Sequence, residues 1–118
     1  MWWCHSPRFG DNPLNQKKVG QGCRSSGLLD TTDTTVYSGR CKLVSIHGFN
    51  DHATAASTVT IWDNTASSGK EIAMFILPAK NVGGGGLSVE FDMHSVICHT
   101  GLQFSFSGGT PKVTIEFA

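Results

Sequence analysis

Residues 87–117 read LSVEFDMHSVICHTGLQFSFSGGTPKVTIEF, and their alternation decides the fold class. Leu87, Val89, Phe91 and Met93 fall on one face of an extended strand, with Ser88, Glu90, Asp92 and His94 on the other. Successive side chains of a strand point to opposite sides, so this reads as a half-buried strand with its apolar face inward. Leu102, Phe104 and Phe106 repeat the pattern, and Val113, Ile115 and Phe117 repeat it again. HTG and SGGTP between these runs supply turn conformations. SVICH (95–99) continues the first strand after a kink.

Upstream, the same signals recur. KEIAMFILPA (70–79) is a nearly continuous apolar run ended by Pro78. It reads as a strand buried on both faces, although a run this short also suits a helix. The glycines at 83–86 read as a flexible hairpin tip, since no Lys-Ser/Thr ending or following helix makes them a phosphate loop. STVTIWDN (57–64) sets Val59 and Ile61 against Thr58, Thr60 and Trp62, and CKLVSIHGFN (41–50) and TTVYSG (34–39) precede it. Seven or eight short strands spaced roughly 8–12 residues apart predict an all-β, antiparallel β-sandwich, jelly-roll-like or Ig-like, over residues 33–118. No fixed-period repeat points to a propeller or solenoid.

Residues 1–32 read differently. They carry Pro7, Pro13 and four glycines, hold no period, and have few apolar residues after Trp2 and Trp3. A segment this polar buries too little to order itself, so it reads as an extended N-terminal arm. Trp2, Trp3 and Phe9 are the candidate anchors for a partner's pocket. Folding back on the chain's own sandwich is the alternative for the same side chains.

Composition narrows the function classes. In 118 residues, nine Lys and Arg balance nine Asp and Glu, and the charged fraction is only 15%. A neutral chain offers no electrostatic case for nucleic acid. No apolar run approaches the roughly 20 residues of a spanning helix, and MWWCHSPRFGDNP lacks the pattern of a signal peptide. The expectation is a chain without a membrane partner, made and assembled in the cytoplasm, with reduced thiols. Four cysteines allow three pairings, and spacing does not choose among them; Cys41–Cys98 is one of these.

HSVICHTG (94–101) raises the question of a metal. His94 and His99 face opposite sides of a regular strand. His94 and Cys98 share a face but lie about 13 Å apart at 3.3 Å per residue, beyond ligand distances of about 2.0–2.3 Å. Only a bulge or a paired strand would bring ligands together, and no C-x-x-C or H-x-x-x-H spacing supports one. The reading is no metal and no cofactor, with Cys98 a small buried hydrophobe. HGFNDH (47–52) clusters His, Asp and His where a strand ends. Such loops carry active sites, but Asn and Asp there also form ordinary turns. No nucleophile elbow or paired-carboxylate motif accompanies them, so the chain reads as a non-enzyme with no catalytic residues.

The stretch CKLVSIHGFNDHATAASTVTIWDNTASSGKEIAMFILPA resembles small β-sandwich virion proteins of tailed bacteriophages. The resemblance rests on Cys41-Lys42-Leu43, the Ala/Thr-rich 53–57, Val59 to Asp63, the turn at 67–69, and Ile72 to Leu77, and extends over about 34–117. It implies a structural protein, most directly a capsid decoration (cement) protein. Such a protein docks on the major capsid protein or another virion protein, forms homo-oligomers, and resides in the virion. A tail or adaptor component is the next reading. A small carbohydrate-binding sandwich is another, with Trp62 as its sugar platform beside Asp63 and Asn64; against it, Trp62 also suits packing on the strand's second face.

Overall fold

The computed structural model describes residues 22–83 and 85–118. Trp2, Trp3 and Phe9 lie outside the described residues. Eight strands follow in order: β1 Arg24–Leu29, β2 Thr34–Ser38, β3 Cys41–Asn50, β4 Ser57–Asp63, β5 Lys70–Leu77, β6 Val89–Cys98, β7 Gly101–Ser107 and β8 Pro111–Phe117. The described residues form no helix, and none long and apolar enough to cross a membrane.

The topology is that of a ribbon folded double and then rolled. The chain turns back between β4 and β5, and antiparallel pairing proceeds outward from that turn: β4 with β5, β3 with β6, β2 with β7 and β1 with β8. Rolling then brings β8 against β3 and β7 against β4. The result is two four-stranded sheets, ordered β1-β8-β3-β6 and β2-β7-β4-β5. Eight strands so connected make a jelly roll.

The alternation read from the sequence places the core correctly in β4, β7 and β8. Val59, Ile61, Leu102, Phe104, Val113, Ile115 and Phe117 meet between the sheets with Leu43 and Ile46. In β3, Leu43 and Ile46 differ by an odd number yet both point inward. The register explains this. Leu43 faces Phe117 and Ser45 faces Glu116, so Val44 is an extra residue that reverses the parity of the strand.

Three readings need correction. Part of the span read as an arm is a strand: β1 pairs with β8, and Leu29 joins the core. β1 is irregular, with Gly27 at φ 73° and a register shift between Ser25 and Leu28. The Ser26 hydroxyl accepts the Ile115 N–H within this irregular stretch. The second correction is β5, which is an edge strand rather than one buried on both faces; Met74 and Ile76 are 63% and 66% exposed. The third concerns 78–88, which crosses from one sheet to the other instead of forming a hairpin. There a Cβ on Gly85 would lie 1.8 Å from the Ala79 carbonyl oxygen, so only glycine fits. Leu87, expected inward, stands 73% exposed beside this crossover.

The two open sides of the roll differ. At the β1/β2 side, the Arg24 guanidinium lies 5.3 Å from the Tyr37 ring centre and 5.8 Å from that of Phe117. This cation–π contact covers the gap between the sheets. At the β5/β6 side the contact across the gap is aromatic, between Phe75 and Phe91.

Two substitutions test the reassignment of β1. Leu29→Ala should cost about 2–4 kcal/mol in urea unfolding, as for a core leucine, whereas Leu28→Ala at an exposed position should cost less than about 0.5 kcal/mol. Equal, small costs at both positions would mean that β1 is not part of the folding unit.

Candidate docking surface at the open edge

Cys41 and Cys98 meet across β3 and β6, but the histidines singled out in the sequence do not converge on them. His94 and Ser95 both adopt left-handed backbone, φ 54° and 58°. Leu43 pairs with Val96 but Ser45 with Asp92, so β6 carries two extra residues at this point. The expected kink is therefore a wide bulge. It leaves the His94 side chain exposed, with its backbone N–H donated to the Asp92 carboxylate at 2.9 Å. Cys98 is fully buried opposite Cys41. His99 lies in the following turn with its backbone N–H on Asp63. Among the described residues, no three Cys, His, Asp or Glu side chains gather as a metal-binding set.

Asp63 is the residue that sequence reasoning undervalued. One carboxylate on β4 accepts the N–H groups of His99, Thr100 and Gly101 at 3.0, 2.9 and 3.3 Å. It thereby holds the β6–β7 turn, where the chain passes from one sheet to the other. Burial alone would raise its pKa. The three donors, helped by the His99 side chain, outweigh that and hold the carboxyl below the ordinary aspartate value.

HGFNDH is likewise structural. The buried Asn50 amide donates to the carbonyls of Ala55 and Leu77, and its oxygen accepts from His52 and Thr110. Four bonds tie three chain segments together at the opposite end of the sandwich from Asp63. Gly109, at φ 66°, closes on this amide so tightly that a Cβ would lie 2.9 Å from its oxygen. His52 Nδ1 accepts the N–H groups of Thr54 and Ala55, which uses the ring nitrogen that faces the loop. His47 is elsewhere, on the outer face of β3 beside Glu90 and Glu116. Trp62 lies half-buried on the outer face of its sheet, and its Nε1–H donates to Ser105 Oγ at 2.9 Å.

The remaining feature is the β5/β6 side. Phe75 and Phe91 reach across from the two sheets, with ring centres 4.8 Å apart. Around them a cleft of about 390 Å³ is lined by Met74, Met93 and Ala73 and rimmed by Glu90 and Asp92. Val82 and Leu87 in the crossover, and Val96 and Ile97 on β6, are further exposed apolar residues. The two edge strands are not equally available for pairing. β6 is interrupted by its bulge and carries Glu90 and Asp92, devices that blunt an edge. β5 from Ile72 to Leu77 holds no charge and no proline, and its outer edge has no neighbour among the described strands. An apolar edge of this kind is a template for another chain.

Cys23 is disulfide-bonded, whereas Cys41 and Cys98 are free thiols.

Comparison of the chain with protein-family models, curated proteins and solved structures finds no match.

Asp63→Asn should cost about 2–3 kcal/mol at pH 7, since charge-assisted bonds are lost and an amide is set against N–H donors. The depressed pKa fixes the sign of the pH dependence. The contribution is complete above the unfolded aspartate value of about 3.9 and fades as pH falls through the lower folded value. The stability gap between wild type and variant, measured by urea melts, should therefore narrow below about pH 4.

Proposed function

We propose that this chain is a structural virion protein of a tailed bacteriophage, a capsid decoration protein that docks on the major capsid shell and contacts copies of itself. The observation that carries the proposal is the open β5 edge, apolar from Ile72 to Leu77 and in unbroken register with β4 from Ala73 to Leu77, with Met74 and Ile76 turned outward. Left bare, such an edge is an aggregation hazard; in an assembly it becomes a bond. The jelly-roll connectivity, which capsid and lectin domains share, is compatible with this role. The polar groups best positioned in the molecule, Asp63 and Asn50, are occupied by backbone bonds, as suits a scaffold. Trp2, Trp3 and Phe9 supply a second anchor, the arm reaching the shell or a neighbouring subunit.

A carbohydrate-binding module is the second reading. Trp62 favours it, standing on the outer sheet face in line with Thr58 and Thr60. The bond to Ser105 weighs against it, because that bond fixes the ring for packing.

Met74→Lys with Ile76→Lys places charge on the exposed edge and should leave the thermal midpoint nearly unchanged, because both side chains are mostly solvated. Co-sedimentation with shells lacking the protein, and light scattering, should show attachment and self-association reduced at least tenfold. Trp62→Ala should leave attachment intact. Attachment lost with Trp62→Ala but kept in the lysine variant, together with retention on a glycan array, would favour the carbohydrate reading.

A further inference from the structure

The two free thiols of the core face each other. Cys41 opens β3, Cys98 closes β6, and the two are directly paired in the antiparallel register. Both are buried, with exposures of 6% and 0%. Directly opposite residues in an antiparallel pair have Cα atoms about 4.5–5.5 Å apart. Disulfides span about 4.4–6.8 Å. The backbone geometry for a bond is therefore already present.

We propose that Cys41 and Cys98 form an oxidative modification site, a dithiol that a low-molecular-weight disulfide converts to a cross-strand bond stapling edge strand β6 to β3. The thiols stay apart chemically because of their surroundings. Burial, the neighbouring Cys41 and the Asp63 carboxylate push Cys98 up to about 12, and burial raises Cys41 as well. Thiolate is the attacking form, so closure is slow and waits on opening of the β6–β7 turn that Asp63 holds. Cys41, the slightly more exposed of the two, reacts first.

The steps balance with a disulfide RSSR as oxidant. The Cys41 sulfur attacks RSSR, an S–S bond to Cys41 forms, the RS–SR bond breaks, and the Cys41 proton leaves with the first RSH. The Cys98 sulfur then attacks Cys41 Sγ. The Cys41–Cys98 bond forms, the mixed bond breaks, and the second RSH takes the Cys98 proton. Two thiols lose two electrons, and RSSR gains them.

The test uses the full chain, as purified, incubated with oxidised glutathione under native conditions. It is then alkylated in denaturant and mapped by peptide mass spectrometry without reduction. A Cys41–Cys98-linked peptide should accumulate without a lasting glutathione adduct. The thermal midpoint should rise by more than about 5 °C, because the bond closes a long loop, and mild reduction should reverse the change. In Cys98→Ala the reaction should stop at glutathionylated Cys41. The proposal is overturned if both wild-type thiols remain alkylatable, if wild type also stops at the Cys41 adduct, or if the linked peptide appears only in unfolded protein. Mapping of the wild type decides even where the variant folds poorly.

Discussion

When the ribbon rolls up, β8 meets β3 and β7 meets β4, and these two seams set the rest of the structure. They bring Leu43, Ile46, Val59, Ile61, Phe104 and Ile115 into one dry interior. They also settle which strands are central and which are peripheral. Once β3 and β4 are each flanked on both sides, β5 and β6 have no further neighbour in the roll. The open apolar side is thus a geometric result of the same pairing that builds the core. Its two halves are treated differently: β6 is bent by His94 and Ser95, and β5, despite a register shift at Ile72, carries no charge from Ile72 to Leu77.

Hydrophobic burial is non-directional, and it leaves the ends of a sandwich loosely specified. Here each end has a polar pin. Asp63 fixes the passage between sheets at 99–101, and Asn50 joins 55, 77 and 110 at the other end. Both side chains are buried with their hydrogen bonds made, the condition under which buried polar groups specify structure rather than weaken it. The cost of removing either exceeds the worth of any exposed ion pair here, such as Lys80–Asp51. The Cys41–Cys98 pair lies beside the Asp63 pin, which couples access to these sulfurs to the firmness of that turn.

Several features were legible from residue order because they depend on local stereochemistry. Period-two alternation in 102–106 and 113–117 requires only that a strand have an inside and an outside, and the core residues follow from it. The position of the kink after residue 94 was visible too, though not its form. β1 was not legible. RSSGLL has two leucines and no alternation, and the strand exists because β8 offers it an edge and Ser26 reaches the Ile115 N–H. The apolar run in β5 was legible as a strand but not as an exposed one, since an apolar stretch carries no record of how many neighbours it will have. Asn50 looked like an ordinary turn former and Asp63 only like a neighbour of Trp62; their partners are 36 to 60 residues away for the longest bonds.

Residue order therefore determined the all-β class, the positions of seven strands and the inward faces of three, because each is written in neighbours two residues apart. The folded chain decided the rest: the jelly-roll pairing, the rescue of β1, the parity change at Val44, the meeting of Cys41 with Cys98 and the exposure of Met74 and Ile76. These depend on which distant strand lies alongside. That choice is made by the summed burial and hydrogen bonding of the whole roll, which no single stretch of the chain encodes.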